Sequence, residues 1–228
     1  MKLFWQQIPS PLITEIFCSS SFDGVVLDLE HGHFNNESLY SCIQVGTLLK
    51  KNILVRVSHL DKQTIRLCLD ANASGIILST VENSAQAKEF HNYCTYPKNG
   101  GKRGQGLVRE NLWGAKPLNF RDPLIIPQIE TSKGVDNIKE ISELDFDYYL
   151  VGPYDLSASL GKAGDFKSNE FKKCINILNN AVGDKLGFHL PSNIKDQIKD
   201  YNHYNFLALG MDTTFLLENT KEAFNIMQ

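Results

Sequence analysis

Two apolar runs in this chain break off at carboxylates: LIIPQIET at 124–131, which ends at Glu130, and YLVGPYDLS at 149–157, which ends at Asp155. If both runs are neighbouring parallel strands, Glu130 and Asp155 lie side by side at their C-terminal ends. There they offer hard oxygen ligands to a divalent cation such as Mg²⁺ or Mn²⁺, with Co²⁺ also admissible. Two like charges in a partly dry cleft repel, and a metal ion is the natural counter-charge. A cation so held can chelate a 2-oxo acid through its carboxylate and keto oxygens. As a Lewis acid it then spreads the charge of an enolate formed at the methyl carbon.

Other strand ends are polar as well. Asp28 and His31 close a second apolar run, Arg56 sits in a third, Gln128 in a fifth, His189 in a seventh and Asp212 after an eighth. Asp28 lies one residue inside its run, where an unpaired carboxylate is costly to bury, so a partner such as His31 or Arg56 is expected. Arg56 would place a fixed positive charge beside the enolate oxygen. His31, oriented and made more basic by Asp28, could move the proton directly or through water. Each residue has an ordinary reading too. His31 could be a surface loop residue, Arg56 a core ion-pair member, Glu130 an acid favoured by a helix N-terminus, and Asp155 a turn or cap. Convergence of acids, a histidine and an arginine from four strands on one mouth favours a site over a solvated charge run. No lysine stands clearly at a strand end, which disfavours a Schiff base.

Positioning these groups requires a regular frame, and the periodicity supplies one. Short β-branched runs at 3–7, 23–29, 52–57, 75–79, 124–131, 147–151, 185–189 and 205–209 alternate with amphipathic segments. The expected helices cover 11–18, 36–50, 61–71, 82–93, 132–144, 169–182, 191–201 and 213–227. The last but one would carry Pro191 in its first turn. Strict alternation implies a parallel sheet, and eight units without a composition break imply a single-domain closed (β/α)₈ TIM barrel spanning 1–228. A doubly wound open sheet is the competing arrangement. A long loop at about 95–122, rich in glycine, interrupts the rhythm, as functional loops often do.

Composition narrows the function. Of 228 residues, 42% are hydrophobic and 21% charged, ordinary for a globular chain, and the formal net charge of −3 argues against a nucleic-acid partner. No apolar run approaches the roughly 20 residues of a membrane span. Five cysteines, with no C-x-x-C pair, read as small core residues in a reducing compartment. The N-terminus lacks a signal-peptide core. A cytoplasmic location is therefore expected.

The runs FDGVVLDLEHG, ILVRV, PQIET and VGPYDLSASLG, with KRGQG at 102–106 and the ending ALGMDTT, occur in order and at compatible spacing. As a set they resemble the pyruvate-dependent, metal-requiring class II aldolases of the HpcH/HpaI family, from about Pro9 to Thr214. That resemblance implies a (β/α)₈ barrel that reversibly cleaves a 4-hydroxy-2-oxo acid to pyruvate and an aldehyde. It implies Glu130 and Asp155 as metal ligands, Arg56 as enolate stabiliser, His31 with Asp28 as an acid–base dyad, and Gln128 beside the bound 2-oxo acid. It also implies a homo-oligomer, a hexamer or trimer, in which Asp70 supports the site of a neighbouring subunit.

The chain departs from the family pattern at four places. Tyr154 stands where alanine is common and would narrow the pocket if its ring points inward. Ser79-Thr80 replaces a proline-containing end of strand four. His189 stands where an aliphatic residue is usual and could reach the aldehyde or merely pack. The segment between RGQG and PQIET is slightly short. Two further functions fit parts of the pattern: an acyl-CoA lyase of malyl or citramalyl type, for which no extra coenzyme A segment is evident, and a non-catalytic barrel serving as a binding module with Tyr154 filling the mouth. GGKRGQG lacks the GK[ST] ending of a phosphate loop and does not follow a strand, so it reads as a structural or mouth-closing loop.

Overall fold

The computed structural model describes residues 1–226. Eight strands run β1 (Lys2–Gln6), β2 (Gly24–Asp28), β3 (Asn52–Val57), β4 (Gly75–Leu78), β5 (Leu124–Ile129), β6 (Tyr149–Val151), β7 (Leu186–Leu190) and β8 (Phe206–Met211). All neighbours are parallel and follow chain order, and β1 also pairs with β8, so the sheet is a closed barrel. The open sheet is thereby excluded. The helices are α1 (Pro11–Cys18), α2 (Asn36–Leu48), α3 (Lys62–Asp70), α4 (Ser84–Cys94), α5 (Ser132–Asp136), α6 (Ile138–Ser142), α7 (Pro153–Ser159), α8 (Asn169–Val182), α9 (Ile194–Tyr201) and α10 (Asp212–Ile226). Met227, the expected last residue of the final helix, lies outside the described residues.

Local chemistry accounts for most of these boundaries. Asn35 opens α2 with a reciprocal capping box to Ser38, and Asp61 accepts from the backbone of Gln63 and Thr64 to cap α3. Four expectations need correction. The single helix at 132–144 is two short ones, divided at Asn137, whose ψ of 7° leaves the α region. A helix that the periodicity does not reveal, α7, starts at Pro153, where a proline costs no hydrogen bond. Pro191 does not open α9, which begins at Ile194 after Asn193 in a left-handed conformation. The long loop holds two 3₁₀ turns, Pro97–Asn99 and Arg109–Gly114.

Side chains alternate across each strand, so every strand feeds two cores. The outward set packs under the helices: Val25, Leu27, Ile53, Val55, Ile76, Ile125, Phe188 and Leu207 are among the residues it contributes. The inward set (Leu3, Trp5, Val26, Leu54, Ile77, Ile126, Leu150, Phe206 and Ala208) plugs the barrel. Two residues further along β2, β3 and β5, the same inward face carries Asp28, Arg56 and Gln128. The interior is thus apolar below and polar at its C-terminal mouth. All five cysteines are free and buried, and burial pushes Cys68 up to about 12. No helix among the described residues is long and apolar enough to cross a membrane.

Candidate active site

The mouth is built around Arg56. Its Nε and Nη2 donate to the two oxygens of Asp28 at 2.8 and 2.7 Å, and its Nη1 lies 2.8 Å from Glu30 Oε2. Its guanidinium carbon stands 4.7 Å from the Trp5 ring centre, close enough for a cation–π contact. Asp28 also accepts from Trp5 Nε1 at 3.1 Å, from Gln7 Nε2 at 3.2 Å, and from the backbone N–H groups of Glu30 and His31. Burial alone would raise the Asp28 pKa, but Arg56 and these donors outweigh it and hold the carboxyl at about 2. Asp28 is therefore a permanent anion clamped to Arg56. Its partner is the arginine rather than the imidazole of His31, which it meets only through the backbone. The expected Asp28–His31 side-chain pairing is corrected accordingly: the fork geometry of a guanidinium satisfies both carboxylate oxygens at once.

Glu130 follows β5 directly and is buried. Thr80 fixes it, donating from both its backbone N–H and its hydroxyl to Oε1 at 2.8 Å, while Gln128 Nε2 donates to Oε2. Thr80 does this from φ +52°, a left-handed conformation that is strained for a β-branched residue. Gly152 at the end of β6 is required by close approach, since a Cβ there would collide with Glu130 Oε2 and stand 2.7 Å from Gln128 Nε2. Burial raises the Glu130 pKa, the charges of Glu30 and Asp155 add to the rise, and the Thr80 hydrogen bonds oppose it. Asp155 sits in the first turn of α7 rather than at the end of a strand, because Pro153 starts a helix there. The two apolar runs are indeed paired neighbours, through Gln128 with Leu150 and Ile129 with Val151.

A cavity of about 430 Å³ opens above this layer, lined by Gln7, His31, Arg56, Gln128, Gly152, Tyr154, Asp155 and His189, and closed on the β7–β8 side by Pro191, Ser192, Met211 and Thr214. Glu130 sits against two of these walls, Gln128 and Gly152. Tyr154 lines the rim but is 46% exposed, and its ring packs edge-on against Phe166 at 4.9 Å, so it does not fill the mouth. His31 is exposed on the rim. Asp70 is not in this cavity. It ends α3, 3.4 Å from Arg103 Nη2, and borders a separate surface cavity with Arg66, Arg109 and Trp113. Asp212 is also elsewhere, accepting from the backbone N–H groups of Gln7 and Ile8 and tying β1 to β8.

Glu30 escaped the sequence reading, although it has the inward parity of Asp28. It links Arg56 to the Ser79 hydroxyl at 2.6 Å. Thr80 carries no sequence signal of its role, which depends on a left-handed turn. The donor set fits a divalent cation. Glu30 and Asp155 lie close enough for their charges to raise the cost of ionising Glu130, against the single positive charge of Arg56. Among the described residues no group of three or more His, Cys, Asp or Glu side chains is placed to hold a metal ion, so the protein ligands would be the two carboxylates. A pair of carboxylates can hold a divalent cation whose remaining positions are filled by water or substrate oxygens.

Comparison with known proteins agrees with this architecture. The family model described as HpcH/HpaI aldolase/citrate lyase matches residues 2–217. A 4-hydroxy-2-oxovalerate aldolase of Rhodococcus jostii is 29% identical over 95% of this chain and 87% of its own length. A hydroxypyruvate/pyruvate aldolase of Delftia acidovorans is 28% identical over 93% and 82%. The crystal structure of an HpcH/HpaI aldolase/citrate lyase family protein from Burkholderia cenocepacia superposes with a TM-score of 0.90 at 22% identity, covering 100% of this chain and 94% of that one. The citrate synthase SbnG superposes at 0.85 with 23% identity, covering 99% and 92%. The last two speak for the fold alone; with the family match over nearly the whole chain, the protein belongs to the HpcH/HpaI aldolase/citrate lyase family.

Proposed function

We propose that this protein is a metal-dependent pyruvate aldolase that reversibly cleaves a 4-hydroxy-2-oxo acid to pyruvate and an aldehyde. The observation that carries the reading is the polar inner layer of the mouth, where Arg56, locked between Asp28 and Glu30, faces the same cavity as Gln128 and Asp155 with Glu130 directly behind. Glu130 and Asp155 would hold a Mg²⁺ or Mn²⁺ ion, which supplies Lewis-acid polarisation of the 2-oxo acid's oxygens when bound.

The chain's own groups do the rest. Arg56 cannot rotate away, because Asp28 and Glu30 hold three of its nitrogens, so its charge is preorganised for the enolate oxygen. Gln128, whose Oε1 lacks any partner, can accept a hydrogen bond from the substrate's 4-hydroxyl or from a water beside the 2-oxo acid. His31 on the rim takes the proton of the 4-hydroxyl, directly or through water, as the C3–C4 bond breaks. The bonding pair then remains on C3 as the pyruvate enolate, the aldehyde carbonyl forms at C4, and C3 takes a proton to give pyruvate. Asp28 is excluded as a proton carrier by its commitment to Arg56. Tyr154 leaves the cavity open, which removes the device that a non-catalytic module would need.

The test is methyl-proton exchange of pyruvate in D₂O with Mg²⁺ or Mn²⁺. Exchange is expected in the wild type and its loss in Glu130→Ala and Asp155→Ala. Absence of exchange in metal-loaded wild type would reject the reading. The homo-oligomer belongs to the same proposal, supported by the apolar residues that α10 leaves uncovered.

A further inference from the structure

One buried polar atom in the cavity has no role in the reaction just described. His189, 8% exposed, projects inward from β7 and stacks on Trp5 with ring centres 4.0 Å apart and planes 15° from parallel. Its Nε2 is buried without any hydrogen-bond partner, in a cavity that the ring itself lines. Leaving such an atom unpaired is costly, and a ligand that satisfies it recovers that cost.

The ring's other contact decides what this atom is. A contact with the Gly210 backbone favours the protonated ring, and because Nε2 has no partner the ring faces that carbonyl through Nδ1. A neutral imidazole has one donor and one acceptor, which leaves Nε2 as a bare lone pair. Burial, reinforced by the Arg56 charge, pushes the ring's pKa down to about 3, so the lone pair persists at neutral pH. The wall beside it is similar in kind. The Thr214 hydroxyl spends its proton on the carbonyls of Pro191 or Met211, at 2.8 and 3.0 Å, and presents only lone pairs to the cavity.

A wall of acceptors cannot hold a carboxylate or a carbonyl oxygen, and an amine would bring a second cation near Arg56. Among the groups that the 2-oxo acid or the aldehyde can bring, a hydroxyl is the neutral donor. Pyruvate has none. The reacting 4-hydroxyl must surrender its proton, for which a base as weak as His189 is unsuited. We propose that His189 Nε2 accepts a hydrogen bond from a hydroxyl beside the aldehyde carbon, so that the aldehyde released or captured is an α-hydroxyaldehyde rather than a plain alkyl aldehyde. This assignment rests on the aldolase reading for its chemistry, and on the unpaired nitrogen for its specificity.

The test uses two substrates differing in that one group, 4,5-dihydroxy-2-oxopentanoate and 4-hydroxy-2-oxopentanoate. With Mg²⁺ present, cleavage of the dihydroxy compound should exceed that of the other by about tenfold or more in kcat/KM. His189→Leu should remove the preference, the loss falling on KM for the dihydroxy compound. His189→Asn, which can present a carbonyl oxygen, should restore part of the preference. Independently of turnover, ¹⁵N-histidine spectra should show the His189 Nε2 resonance move on addition of the dihydroxy compound and stay in place with the other. An unchanged ratio in His189→Leu, or a stationary Nε2 signal, overturns the proposal. A moving Nε2 signal in a protein that neither exchanges pyruvate nor cleaves either compound would sink the aldolase reading and leave the hydroxyl assignment standing.

Discussion

Arg56 is the residue whose removal the molecule should feel most. It neutralises Asp28, which is fully buried, and Glu30 beside it. Truncation leaves an uncompensated carboxylate inside the barrel, an outcome worth roughly 3–5 kcal/mol. Arg56→Ala is therefore expected to lower the unfolding free energy in urea by about that amount at pH 7, on top of abolishing activity. The pH dependence has a definite sign. Asp28 has a folded pKa of about 2 against 3.8 for the free side chain, so its stabilisation is full above 3.8 and disappears as the pH falls through 2. Glu130 behaves oppositely. Its folded pKa is raised, so the protein gains stability from it only when it is protonated, and loses that stability as the pH rises through the folded value. Glu130→Gln is expected to melt higher than wild type at pH 7 without divalent metal. Gln128, whose Oε1 is unpaired, can turn its amide over to accept from the new one. Mn²⁺ should raise the melting temperature of wild type and have no effect on Glu130→Gln. A metal-induced shift in the variant equal to that in wild type would remove Glu130 from the ligand set.

At the scale of elements, the β4–α4 junction illustrates how function is set against local preference. Thr80 holds a left-handed backbone that costs of order 1–3 kcal/mol in a non-glycine residue, and in return gives Glu130 two donors. Thr80→Gly should keep or raise stability, by about 1 kcal/mol in denaturant melts, yet lower activity at least tenfold because the hydroxyl donor is gone and the turn is loosened. A variant as active as wild type would show that Thr80 does not position the carboxylate. The same junction marks the limit of what could be read from the chain. Strand order and inward parity were legible, because β-branched runs alternate with amphipathic ones and period 2 assigns a face to every residue. Asp28, Arg56, Gln128 and Glu130 could thus be placed at one end of a barrel before any coordinates. Left-handed turns leave no periodic trace, so Thr80 shows in the sequence only as a departure from the family pattern, without its role. The seven residues of α7 are too few to show a helical period, although Pro153 serves as the start of a helix. The choice of Arg56 over His31 as the partner of Asp28 depends on distances across β2 and β3 that no sequence spacing encodes.

For the molecule as a whole, α10 poses the question of assembly. It has 15 residues, yet of these only Asp212 is buried. Phe215 rests against Phe4 at 5.2 Å, but Leu216, Leu217, Phe224 and Ile226 are each more than half exposed. Helices of this length draw their stability mainly from packing an apolar face, and among the described residues nothing covers this one. A second copy is the cover that suits a chain whose net charge is only −3 and whose helix carries no basic run toward a nucleic acid or an anionic surface. Light scattering is expected to give a multiple of the chain mass, and the double substitution Leu217→Asp with Phe224→Asp should reduce it. Neither residue lines the cavity of the mouth, so if the site is complete within one chain the dissociated variant should still exchange the methyl protons of pyruvate. If exchange disappears with the assembly, a neighbouring copy contributes to the site, and Asp70, which stands outside the cavity of its own barrel, becomes the residue to substitute next. Wild type that stays monomeric at all concentrations would mean that α10 is left uncovered, and the oligomer would have to be abandoned.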